Sequence, residues 1–331
     1  MDIFLTGATG FVGGAFLKEE GASHAIRAMS RSLHSDGELK LAGVTPVSCS
    51  LENVTPYHLE GCEAVVHCAA YVEDWGPPEA YWAVNVEGTK RLLNAAKRAG
   101  VKRFVHIGTE AALFYGQDMR NVDETYPLAL DSPFPYSRTK AWAEKAAREA
   151  NDPKHGFETV VLRPRFVWGP GDTTLLPALR KMVDAGRFAW IDGGRARTST
   201  TYIGNLTYAM DLALTKGRGG EAYFVLDGPP VVFHDMLTRM AHAAGFSLPE
   251  KSISGGAARA LAFAAEKVWR GFGLNGAPPL TRFAAALMSR DCVLSDAKAR
   301  REMGYDPPFT MDYGIRALAT ACHEGTYQIA A

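Results

Sequence analysis

The stretch Phe4-Leu5-Thr6-Gly7-Ala8-Thr9-Gly10-Phe11-Val12-Gly13 constrains this chain more than any other. Ile3, Phe4 and Leu5 read as a short buried strand and 13–20 as a helix, with three glycines at G-x-x-G-x-x-G spacing between them. A strand that turns at once into a helix needs residues that tolerate positive φ, which glycine does. The missing Cβ also lets a pyrophosphate approach the backbone, where the helix N-terminus presents unpaired N–H groups. The expected ligand is a dinucleotide, held by Gly7, Thr9, Gly10, Phe11 and Val12.

Further strands are expected at 25–29, 44–51, 64–68, 101–107 and 159–162, separated by helical stretches such as 81–98. Strands alternating with helices at these spacings build right-handed βαβ units and a parallel sheet. The expected fold is α/β, a Rossmann-type doubly wound parallel sheet over 1–168, with return segments near 200–228. A smaller C-terminal lobe, mainly 169–331, would bind substrate. The 331 residues, 47% of them hydrophobic, suffice for both.

Lys+Arg and Asp+Glu both total 36, so there is no global basic field of the kind that nucleic acid asks for. Five cysteines (Cys49, Cys62, Cys68, Cys292, Cys322) are odd in number and lack metal-type spacing. They read as reduced thiols of a cytoplasmic protein with no metal site. The first strand begins so near Met1 that no leader is expected before it. The apolar run 257–268 carries Arg259, Glu266 and Lys267, with Arg270 just beyond. Its uncharged core falls far short of the ~20 residues needed to span a bilayer. It reads as an amphipathic helix over a core or a pocket in preference to a peripheral membrane contact.

Ser30-Arg31-Ser32 ends the second strand, where an NAD site places Asp or Glu against the ribose 2′-OH. Ser30 and Arg31 instead offer donors to a 2′-phosphate, so NADP(H) is favoured over NAD(H), with Arg27 a weaker candidate. Small residues after the fourth strand, Ala69 and Ala70, would let the cofactor lie close over the sheet edge. His67, with no neighbouring acid in the sequence, reads as packing.

Tyr136 and Lys140 are four apart at a helix start and therefore share a face. A phenol titrates near pH 10 and is a poor acid–base group at neutrality; a neighbouring ammonium favours the phenolate. Thr109 stands at the C-terminal end of a parallel strand, where open α/β sheets place their ligands. Its hydroxyl could hold a substrate oxygen against the tyrosine. Tyr71, Trp75, Phe134, Trp168, Trp190 and Tyr202 are candidate walls of a substrate pocket.

The glycine motif, His67-x-Ala69-Ala70, Asn85-x-x-Gly88-Thr89, Thr109 and Tyr136-x-x-x-Lys140 together resemble the extended short-chain dehydrogenase/reductase family. The resemblance implies a catalytic triad of Thr109, Tyr136 and Lys140, supported by Asn85, with Lys140 also on the nicotinamide ribose. It also implies that Leu51, Pro164 and Val167 lie against the cofactor and that helices 81–98 and 136–149 pair in a homodimer. Nucleotide-sugar enzymes of the family usually carry Asn shortly after the sixth strand; Phe166 stands in that place. Arg163-Pro164 looks like the 3β-hydroxysteroid dehydrogenase and dihydroflavonol reductase branches. Asp74-Trp75-Gly76-Pro77, Pro278-Pro279-Leu280-Thr281-Arg282-Phe283 and Gly304-Tyr305-Asp306-Pro307 are similar to the first of these. Two residues depart from the pattern: Ser50, where the family often has Asp, and Glu110, which either points to solvent or reaches a polar group of the substrate.

The implied function is NADP(H)-dependent hydride transfer to or from a carbonyl or secondary alcohol of a fairly apolar, steroid-, flavonoid- or lipid-like small molecule. A nucleotide-sugar epimerase or reductase, and a non-catalytic NADP(H)-binding sensor, are the alternatives.

Overall fold

The computed structural model describes residues 1–73 and 75–329. Its central sheet has seven strands: β1 (Asp2–Thr6), β2 (Ala25–Ser30), β3 (Thr45–Ser48), β4 (Ala64–His67), β5 (Arg103–Ile107), β6 (Glu158–Pro164) and β7 (Glu221–Val225). They run in the order β7-β6-β5-β4-β1-β2-β3 with every pairing parallel. All six expected strands are present, and the seventh comes from the return segment. The order reverses between β1 and β4, and this switch point is where a doubly wound sheet opens its binding crevice.

Both faces of the sheet are covered, as a parallel sheet requires. Successive side chains point to opposite faces, so Ile3, Leu5, Val66, Val105 and Leu162 pack with Phe16, Leu206 and Met210 on one side. Phe4, Val65, Phe104 and Val161 pack with Leu92, Leu93, Ala96 and Ala147 on the other. Each such side chain is worth ~1.5–3 kcal/mol on full burial, which sets the register of the sheet.

The remaining elements gather over the C-terminal ends of the strands. Val231–Val232, Arg197–Thr198, Cys292–Leu294 and Met119–Val122 form a small mixed sheet. Helices Leu175–Asp184, Phe233–Ala243, Gly255–Phe272 and Arg282–Ser289 stand beside it. Asp227 ties this part to the main sheet: its carboxylate accepts from Trp168 Nε1, Thr200 Oγ1, Tyr202 N and Asn205 Nδ2. All five cysteines are free thiols. Among the described residues no helix is long and apolar enough to cross a membrane.

Candidate active site

At the end of β1 the glycine turn closes on itself. Gly7 has φ +73°, and a Cβ there would stand 2.8 Å from the backbone N of Ala69. A Cβ on Gly13 would overlap the Gly7 carbonyl oxygen at 2.2 Å. Contact requires glycine at both places, and at Gly7 the positive φ requires it as well. Gly10 caps helix Phe11–Glu20 without a side-chain hydrogen bond, and the first turn holds no acid. The leading N–H groups are thus left for an anion and no carboxylate competes for them. A pyrophosphate fits this cradle.

A cavity of about 1500 Å³ runs from Gly7–Gly13 past Ala69, Ala70, Thr109, Tyr136 and Lys140 to the C-terminal helices. The structure brings every member of the expected triad onto this one cavity. Lys140, on helix Pro135–Glu149, is buried and donates to the Ile107 carbonyl at 2.7 Å. Burial pushes its ammonium down to about 8, against the opposing pull of Glu144 and then Cys68. Glu144 is itself buried and takes two hydrogen bonds from Arg163, at 2.9 and 2.5 Å, which links this helix to β6. The Tyr136 ring packs edge-on against Phe283, with centroids 5.7 Å apart.

Asn85 sits in a π turn, Trp82–Gly88, inserted between helices Pro78–Tyr81 and Thr89–Arg98. Such turns add a residue to a helix and often mark functional positions. Here the amide accepts from Tyr71 N at 2.7 Å and donates to Tyr71 O and Thr139 Oγ1, both at 3.1 Å. It fastens the 71–77 loop to the helix of Tyr136. His67 is likewise structural, between Thr6 Oγ1 at 2.7 Å and Thr89 Oγ1 at 3.0 Å, with its pKa lowered to about 3 by burial and then by Lys140.

Thr109 differs from expectation in what its hydroxyl does. It donates to Glu110 Oε2 at 2.8 Å and accepts from Ala111 N at 3.2 Å. Glu110 does not face solvent: it is 3% exposed and pairs with Arg165, 2% exposed, at 2.5 Å. Arg165 also donates to Thr198 Oγ1 at 3.2 Å. A buried carboxylate needs a partner, and a buried arginine whose fork is shared with a second acceptor supplies one. Phe166, beside them, has φ +49° and meets Phe233 edge-on at 5.1 Å.

At the ribose end, Arg31 and Ser35 line the cavity, but the Ser30 hydroxyl is buried and donates to the Ser32 carbonyl at 3.2 Å. Ser30 ends a buried strand and satisfies itself locally, so Arg31 alone of that pair reaches the site. Arg27 is spent on Glu60 O and Cys62 Sγ. Ser50 and Leu51 line the same end, where Asn53 Oδ1 accepts from Ser50 N at 2.7 Å and shapes the turn. Phe11, Val12, Pro164 and Val167 also border the cavity.

The expected aromatic walls lie elsewhere. Trp168 and Tyr202 are core, held by Asp227 and packed 5.1 Å apart. Trp190 packs between Phe188 and His234, and Phe134 between Phe114 and Phe283. Tyr71 lies edge-on to Tyr81, and Trp75 lies beneath the Arg270 guanidinium. Of the motif containing Trp75, Asp74 lies outside the described residues. The walls are instead Phe166, Leu175, Leu179, Met182, Phe233, Leu261, Ala265, Leu280, Phe283, Leu287 and Met288. The apolar run 257–268, expected over a core or a pocket, supplies Leu261 and Ala265 of these walls, whereas Pro278–Phe283 is expected only as a family-like stretch.

A model of the 3-beta hydroxysteroid dehydrogenase/isomerase family matches residues 4–254. The 4-hydroxy-2-methyl-3-oxo-4-farnesyl-3,4-dihydroquinoline-1-oxide ketoreductase of Stigmatella aurantiaca is 38% identical over 324 residues, covering 97% of this chain and 96% of that protein. The 2-alkyl-3-oxoalkanoate reductase of Stenotrophomonas maltophilia (strain K279a) is 34% identical over 331 residues, covering 96% and 98%. Among solved structures, that of gox2253 superposes with a TM-score of 0.78 at 26% identity, over 98% of this chain and 99% of the other.

Proposed function

The chain belongs to the 3-beta hydroxysteroid dehydrogenase/isomerase family and is an oxidoreductase of CH–OH and keto groups, and on that premise we propose that it is an NADP(H)-dependent reductase of an apolar ketone. The observation that carries the reading is the single cavity, polar where Thr109, Tyr136 and Lys140 meet and apolar from there outward. Two similar proteins are named for reducing a 3-oxo group next to a farnesyl- or alkyl-bearing carbon, which favours the ketone direction.

The glycine turn and the leading N–H groups of Phe11–Glu20 would hold the pyrophosphate, Ala69, Ala70, Pro164 and Val167 the body of the cofactor, and Arg31 with Ser35 the 2′-phosphate. When bound, the nicotinamide supplies or accepts the hydride. One donor of Lys140 is committed to Ile107, so the others are available to ribose hydroxyls while its charge favours the Tyr136 phenolate. Tyr136 gives its proton to the ketone oxygen as charge develops there, or removes it from the alcohol. Thr109 donates to a ketone oxygen after turning away from Glu110, or accepts from the alcohol hydroxyl with its Glu110 bond intact.

The test is turnover of a panel of 2-alkyl-3-oxo esters and 3-ketosteroids with NADPH. Tyr136→Phe should lower kcat by roughly 10²–10⁴-fold with NADPH affinity nearly kept; unchanged turnover would overturn the reading. A thermal shift with UDP-sugars but none with these ketones would favour a nucleotide-sugar substrate instead.

A further inference from the structure

Helix Gly255–Phe272 is apolar on its buried side and along one exposed edge. Its inner side is buried at Ala258 and Ala262, and Leu261 and Ala265 border the cavity. Yet Leu261 is also 59% exposed, as are Phe263 (51%), Val268 (43%), Phe272 (79%) and Leu274 (44%). Leu261, Val268 and Phe272 recur near helical spacing on one outward stripe, and Phe272 leads into an exposed turn with Gly273 and Gly276 at positive φ. Val72 is also exposed and borders the same cavity, so exposed apolar side chains from both segments stand at its rim.

Charge separates this region from the rest of the molecule. The whole chain is formally neutral, but residues 251–290 carry six cations (Lys251, Arg259, Lys267, Arg270, Arg282 and Arg290) and one acid, Glu266. Glu266 is buried and paired with Arg282 at 2.8 Å. Among the described residues, Arg259, Lys267 and Arg270 have no acidic partner; Lys267 lies over the Phe263 ring and Arg270 over Trp75. Self-association about a twofold axis would press these cations against their own copies. An anionic bilayer satisfies both features, taking the apolar stripe into its interface and the cations onto its headgroups.

We propose that the outer face of helix Gly255–Phe272 and the turn after it dock on an anionic lipid bilayer, setting the mouth of the cavity against it. The sequence alone places a pocket cover ahead of a membrane contact; the helix serves as both, along one edge that continues from the cavity rim at Leu261 to Val268 and Phe272. An apolar substrate would then enter past Leu261 and Val72 without crossing water, a consequence that rests on the reductase reading. The docking itself does not.

The full chain, without cofactor, should float with vesicles of mixed phosphatidylcholine and phosphatidylglycerol and not with phosphatidylcholine alone, and added salt should weaken the binding. Val268→Asp with Phe272→Asp, and separately Lys267→Glu, change exposed side chains away from the cavity. The double variant should bind roughly tenfold more weakly, with turnover of a water-soluble 3-oxo ester kept. Absence of wild-type binding, or equal binding by the double variant, overturns the proposal. A concentration-dependent dimer broken by Phe272→Asp, without vesicle binding, would give the face to a second copy. Flotation is read without turnover, so it stands or falls apart from the reductase assignment.

Discussion

The two ends of the cavity are built on different principles. Around Thr109, Tyr136 and Lys140 four buried polar side chains are tied to other elements: Asn85 to Tyr71, Lys140 to β5, Glu144 to Arg163 and Glu110 to Arg165. Around Leu261, Leu280, Leu287 and Met288 the walls are mainly aliphatic, with Phe283 among them, and meet through shape. At the first end position is over-determined, since each group left without its partner carries a desolvation cost. At the second, several apolar residues of similar size would do as well. Polar groups are therefore held rigidly at one end while the other is open to variation.

That contrast is most severely tested by the ion pair beneath Thr109. Arg165→Met strands the Glu110 carboxylate in the interior and should cost about 3–5 kcal/mol in urea unfolding. Leu261→Ala, half in water already, should cost less than about 1 kcal/mol. Equal losses would erase the distinction. Next in size is Arg31→Ala, which removes a charged donor from the ribose end. NADPH affinity, followed by fluorescence titration, should fall by roughly tenfold or more and NADH affinity hardly at all; equal losses would remove Arg31 from the 2′-phosphate site.

Leu287→Ala probes the aliphatic end. It should raise KM for a long-chain 3-oxo substrate by roughly tenfold and leave kcat and NADPH affinity alone, whereas a fall in kcat would show that the walls also position the reacting carbon. The smallest effect is a pH dependence. Lys140 titrates near 8 when folded and near 10.5 when unfolded, so above pH 8 the unfolded chain binds more protons. Stability should rise with pH in this window, by about 1 kcal/mol between pH 7 and pH 9 in the cofactor-free chain. Comparison with Lys140→Met by denaturant unfolding isolates this term, and identical slopes would place the ammonium in a wetter site than the structure shows.

The same contrast explains what was legible in the sequence. The glycine turn, Thr109, Tyr136 and Lys140 stand out in the sequence because the phosphate approach and proton transfer proposed for them would restrict the residue type at each place, and the structure brings them onto one cavity. Glu110 looked anomalous because its partner, Arg165, is 55 positions away and is brought to it only by the pairing of β5 with β6. Ser30 was misread through one torsion: its hydroxyl turns to the Ser32 carbonyl and not to the cavity. The aromatic walls failed for a more general reason. Large rings bury well in any core, and Asp227 had claimed Trp168 and Tyr202 before a pocket could. The aliphatic walls carry no residue-type signature.

Phe166 bears on how such an enzyme can change its diet. Its backbone stands in a left-handed conformation that a phenylalanine adopts under strain and an asparagine adopts readily. An aromatic side chain here packs directly on Phe233 in the cavity wall. Replacing it with asparagine relieves the backbone and puts an amide where nucleotide-sugar enzymes of the wider family usually keep one. Phe166 is thus a position at which the preference of the backbone and the needs of an apolar wall pull in opposite directions.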